Sequence, residues 1–95
     1  MIYLVTKQTA LFQSDNYKII SAEESLKLLD PLYFVGLDTE TEGLDCHTKR
    51  LLSIQLGCEN FQVVIDCSSI DPLLYKDYLE SDRIFVGWNL SKWQP

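Results

Sequence analysis

The chain has 95 residues, enough for one small domain. Hydrophobic residues make up 46% of it, which excludes a disordered polar chain. The net charge of −6, from 8 basic and 14 acidic residues, comes with no basic block, so nothing electrostatic advertises nucleic acid, although bound cations would reverse the field of a carboxylate cluster. The first ten residues, MIYLVTKQTA, have neither the charged leader nor the apolar region of a signal peptide, and no run approaches a membrane span. The 3 cysteines, Cys46, Cys58 and Cys67, are odd in number and lack C-x-x-C spacing. They read as reduced thiols and point to the cytoplasm; with no apolar run of spanning length, no membrane partner is expected.

In chain order, residues 2–6 (IYLVT) read as a strand whose partner is not specified, and 7–16 as a variable, mostly polar lead-in loop. Residues 17–20 form a second short strand or extended entry. Ser21 and Glu24 have capping-box spacing and open a helix with Leu26, Leu28 and Leu29 as its apolar stripe. Asp30-Pro31 ends it. Residues 33–40 form a buried strand that turns abruptly acidic: Tyr33-Phe34-Val35-Gly36-Leu37, then Asp38-Thr39-Glu40-Thr41-Glu42. Alternation puts Asp38 and Glu40 on one face and Thr39 on the other. Carboxylates so placed repel unless a cation sits with them, and magnesium is commonly held by one or two carboxylates together with substrate phosphate. The plainer alternative is a solvated strand end leading into the turn at Gly43.

After a polar stretch, residues 46–50, Leu52, Ile54 and Leu56 alternate through a period-2 strand over 51–58. Glu59-Asn60 turns the chain into a third strand, 61–66, completing an antiparallel meander. Asp71-Pro72 opens a second helix, expected to turn Leu73, Leu74, Tyr78 and Leu79 inward. Residues 83–87 (RIFVG) form a fourth strand. Reached through a helix, it should run parallel to the central strand and end near Asp38 and Glu40. His47 reads as a solvated loop histidine. Asp66, Asp71, Asp77, Glu80 and Asp82 read as strand-end, cap and surface charges.

The fold class is therefore α/β: a mixed sheet with a three-stranded antiparallel meander, a parallel fourth strand and flanking helices. That order is the opening of a ribonuclease H-like fold. The string from Val35 to Asp45, VGLDTETEGLD, resembles the first motif of the DnaQ-like (DEDD) 3′–5′ exonucleases. The nearest flavour is the proofreading domain of polymerase I-like DNA polymerases, phage versions included, with the ribonuclease D branch similar. Residues 49–57 (KRLLSIQLG) resemble the family's second strand, and 86–90 (VGWNL) the start of its second motif.

The resemblance implies phosphodiester hydrolysis with two magnesium or manganese ions. It implies a single-stranded DNA 3′ end as substrate, RNA being open, and a polymerase domain or subunit as partner. By match, Asp38 bridges both ions and Glu40 holds the nucleophile-side ion. Thr39 and Thr41 flank them as substrate contacts. Leu44 packs on the terminal base, or is an ordinary turn residue; Asn89 contacts substrate, or caps a helix. Two departures stand out. The family's second-motif histidine is Trp88 here, and its aspartate is expected near residue 93, which is Trp93. The third motif, with the general base, has no counterpart. Residues 92–95 read as the tail of a shifted or prematurely ended frame, and 1–95 as one incomplete exonuclease domain, inactive alone. The remaining alternatives are a non-catalytic remnant and a ribonuclease D-like RNA exonuclease. If the chain is active after all, Asp66 or a partner chain would have to complete the site.

Overall fold

The computed structural model describes residues 1–8, 16–41 and 51–87, with backbone only at Thr41 and Leu51. The three-stranded meander is its middle. β3 (Phe34–Thr41) pairs antiparallel with β4 (Leu51–Gly57), and β4 with β5 (Gln62–Asp66). β6 (Ile84–Gly87) lies parallel to β3 on its outer side, as the crossover requires. β1 (Ile2–Val5) runs parallel to β5, and β2 (Tyr17–Ile19) parallel to β1. The sheet therefore has six strands in the order β2-β1-β5-β4-β3-β6. It is two strands wider than the meander with its fourth strand, because the N-terminal pair extends the β5 edge.

One face of the sheet is the core. Val5, Val35, Ile54, Leu56, Val63 and Ile65 all lie there, almost wholly buried. Both helices cover this face. α1 (Ala22–Leu29) begins where expected: the Ser21 hydroxyl accepts the Glu24 N–H at 3.1 Å. The Glu24 carboxylate reaches back, but to the Ser21 hydroxyl at 3.3 Å rather than to its backbone N–H. Leu29 is fully buried and Leu26 and Leu28 pack at the margin.

The second helical segment corrects the sequence reading. The Asp71 carboxylate does accept the Leu73 N–H at 3.0 Å, and Pro72 takes the first helical position. The first turn, however, is a 3-10 turn over Pro72–Tyr75, followed by one α turn, α2 (Lys76–Leu79). Three residues per turn align Pro72 with Tyr75, and the i, i+3 spacing of the α turn that follows adds Tyr78 to the same side. Tyr75 and Tyr78 therefore enter the core, whereas Leu73 and Leu74 are 70% and 56% exposed. Tyr78 and Leu79 face the core as expected; Leu73 and Leu74 do not. The two phenols need partners inside. The Ser25 hydroxyl donates to the Ala22 carbonyl at 2.6 Å, leaving its oxygen to accept from the Tyr75 O–H at 2.7 Å. The Tyr78 O–H donates to the Leu29 carbonyl at 2.8 Å. Burial holds both hydroxyls above the usual tyrosine range.

Arg83 ties the end of α1 to the start of β6. Its guanidinium donates to the Leu32 and Asp30 carbonyls and to the Ser81 hydroxyl, at 2.8, 2.6 and 2.8 Å. It also pairs with the Asp30 carboxylate and lies 4.3 Å from the Tyr78 ring centre. A planar fork with several donors suits this task better than an ammonium.

Candidate active site

The opposite face of the sheet has no described helix on it. Register places Phe34, Gly36, Asp38 and Glu40 of β3 on this face with Ser53, Gln55 and Gly57 of β4. Asp38 is half-buried and Glu40 exposed. The Asp38 carboxylate accepts the Thr39 N–H at 2.9 Å. Two residues apart on one strand, the pair has Cα atoms roughly 7 Å apart. Both project into the same solvent. β6 stops beside them: its parallel pairing ends at Gly87 opposite Leu37, one residue before Asp38. The ends of parallel strands are where open α/β sheets bind ligands.

The pairing of β3 with β4 changes at this point. Residues pair in step up to Glu40 with Ser53, and then Thr41 faces Leu51. One residue of β4, Leu52, is left over as a bulge. Leu52 is 39% exposed, although the period-2 pattern puts it inward with Ile54 and Leu56. A bulge leaves one residue unpaired and sharpens the local twist, and bulges recur beside active sites because they re-aim side chains.

Thr39 lies on the helix-covered face, opposite Ile54 and half-buried. Leu44, His47, Cys46, Trp88, Asn89 and Trp93 lie outside the described residues, as does the Thr41 side chain. Asp66 shares a row with Glu40 through Ser53, two strands away, about 10 Å. Its carboxylate is already engaged. One oxygen accepts from the Thr6 and Ser69 hydroxyls at 2.7 and 2.9 Å, the other from the Ser68 hydroxyl and, at 3.1 Å, the Ser68 N–H. Partial burial pushes the Asp66 carboxyl up, but these donors outweigh it and hold it below the usual carboxylate range. This knot joins the end of β1 to the end of β5. The sequence reading had no signal for it beyond Asp-Cys-Ser-Ser after a strand, an Asx-turn composition.

Among the described residues no group of three or more histidine, cysteine or acidic side chains is placed to hold a metal. Asp38 and Glu40 fit a hard divalent ion as part of a ligand set: oxygen donors, on one face, open to substrate and water.

No protein-family model matches the sequence, and no curated protein matches it either. Solved structures do match in shape. The Nibbler EXO domain of Aedes aegypti superposes with a TM-score of 0.64 at 16% identity, covering 96% of this chain and 40% of that one. Escherichia coli RNase D, an exoribonuclease involved in structured RNA processing, gives 0.62 at 18%, covering 94% and 22%. The catalytic core of RRP6 from Trypanosoma brucei gives 0.63 at 12%, covering 97% and 24%. The fold is ribonuclease H-like, as in these exonuclease structures. The chain spans two fifths or less of each of them.

Proposed function

We propose that this chain is part of a 3′–5′ exonuclease domain that hydrolyses phosphodiester bonds at nucleic-acid 3′ ends. The observation that carries this reading is the Asp38–Glu40 pair, on the open face of the central strand, beside the end of a parallel neighbour. Its support is the motif string around the pair and the fold shared with exonuclease structures. Asp38 and Glu40 hold magnesium or manganese. Bound there, such an ion supplies charge stabilisation at the scissile phosphate and a more acidic water. The two carboxylates orient what they bind and keep the face hydrophilic where it meets phosphate. Leu44, Asn89 and Thr41 remain the proposed substrate contacts; the Thr39 side chain, expected from the sequence to join them, faces the helices instead because strand alternation turns it away from Asp38 and Glu40.

The motif string favours DNA, in proofreading beside a polymerase I-like domain. A second reading, RNA as substrate, is favoured by the likeness to RNase D. A polypeptide of these 95 residues does not turn over by itself, because it supplies two of the expected carboxylates and no counterpart of the general base. Each 1.4 kcal/mol or so of lost transition-state stabilisation costs tenfold in rate.

The test is manganese titration followed by backbone amide broadening. Broadening should centre on residues 37–40 and vanish in Asp38→Ala; identical broadening in both proteins refutes the site. Manganese-dependent shifts with a DNA or an RNA oligonucleotide then choose the substrate. Release of a 3′ label by the 95-residue protein, absent in an Asp38→Ala, Glu40→Ala double variant, would refute its inactivity.

A further inference from the structure

Asp38 stands directly opposite Gln55 in the antiparallel β3–β4 pair, and Gln55 stands opposite Val64 of β5. Side chains so opposed share a face and have Cβ atoms about 4.5–5.5 Å apart. Gln55 is half-buried, and its side-chain amide has no hydrogen-bond partner among the described residues. Its surroundings on this face explain why. Val64 is apolar, and Gly57, two residues along β4, carries no side chain. Asp66, on the diagonal, is committed to Thr6, Ser68 and Ser69. The amide carries two donors and an acceptor. Strand side chains stand roughly perpendicular to the sheet. Glutamine is one methylene longer than aspartate, so this amide reaches farther out than the Asp38 carboxylate, to the height of whatever that carboxylate holds.

We infer that Gln55 is a substrate-contacting residue: its amide N–H donates to a phosphate oxygen of the nucleic-acid 3′ end when the ion at Asp38 and Glu40 holds that phosphate. This rests on the exonuclease reading of the Asp38–Glu40 pair, which supplies the ion and the phosphate. A neutral donor suits the place. A third carboxylate there would repel the phosphate, and an ammonium would compete with the ion for Asp38. A phosphate oxygen is an anionic acceptor, and hydrogen bonds to ionised groups are the stronger kind. Ser53, opposite Glu40, has a shorter side chain and does not reach this height. The contact is to phosphate, so it serves DNA and RNA ends alike and leaves that choice to other residues.

The probe is deoxythymidine 5′-monophosphate with magnesium, its binding read from the shift of the Thr39 backbone amide. In the wild type the nucleotide should also move the Gln55 side-chain amide signals. Gln55→Leu keeps nearly the same size and removes the donor. It should weaken nucleotide binding about tenfold, while manganese broadening of residues 37–40 stays as in the wild type. Gln55→Glu should abolish nucleotide binding and leave manganese binding as tight or tighter. A merely structural glutamine does not produce that pair of opposite signs, and Gln55→Glu decides the matter if Gln55→Leu fails to fold. Equal nucleotide binding in the wild type and the variants, or Gln55 amide signals that the nucleotide does not move, overturns this contact and leaves the metal site standing wherever manganese still broadens residues 37–40. Absence of that broadening in the wild type overturns the metal site, and this contact with it.

Discussion

The two faces of this sheet are built for different work. The helix-covered face is apolar, closed, and satisfied down to its two buried phenols. The open face mixes carboxylates, glycines and solvent-facing Phe34 and Val86. Alternation along each strand lets one sequence write both: Val35, Leu37 and Thr39 belong to the first face; Phe34, Gly36, Asp38 and Glu40 to the second. Stability resides on one side, so the other is free to carry groups that contribute little to folding and much to ligand binding.

The sharpest way to break this comparison is Tyr75→Ala. Tyr75 is fully buried and its hydroxyl satisfies Ser25. The substitution should cost roughly 3–5 kcal/mol, as large aromatic truncations in cores do. Against a total stability of about 5–15 kcal/mol, that brings the fold near collapse, readable as a lowered urea midpoint.

An intermediate effect belongs to Asp66, on the open face but bound into the β1–β5 knot. Asp66→Asn should cost about 1 kcal/mol at neutral pH, since a charged acceptor of several hydrogen bonds becomes a neutral one. The pH dependence carries the sign. The folded carboxyl titrates below its unfolded value of about 3.9, so its stabilisation is complete above that value. It is lost as pH falls through the depressed folded value. Thermal unfolding followed from pH 5 downward should show a steeper acid loss in the wild type than in the variant. Parallel curves would mean that the knot adds nothing.

The smallest effect should come from the carboxylates themselves. The Asp38→Ala, Glu40→Ala double variant should change stability by no more than about 0.5 kcal/mol, and upward if at all, because it removes two like charges from an accessible face. A loss of several kcal/mol would place the pair in the folding core and dissolve the distinction between the faces.

What the sequence made legible follows the same division. Local signals worked where the structure is local. Ser21 and Asp71 start their helical segments, short connections make the meander, and period-2 alternation puts Asp38 and Glu40 on one face. Features that depend on distant or subtle geometry escaped. Nothing in residues 2–6 specifies that β1 pairs with β5 and β2, because a parallel partner needs no turn chemistry nearby. Leu73 and Leu74 have the hydrophobicity of core residues, but a 3-10 first turn rotates them outward. Leu52 fits the alternation perfectly and is displaced by the bulge that follows Glu40. At the site, the pair and the approaching end of β6 were readable, whereas the engagement of Asp66 by Thr6, Ser68 and Ser69 depends on a contact between residues 60 positions apart.

That separation has a consequence for synthesis. β1 leaves the ribosome some 60 positions ahead of its partner β5. At about 5–20 residues per second, the interval lasts several seconds. Through it, Ile2, Leu4 and Val5 have only the three-residue β2 available to pair with, and two strands alone are marginal in water. The nascent chain thus carries an apolar, incompletely paired β1 until Asp66 emerges, so chaperone capture should concentrate on chains arrested before this point and fall away beyond it.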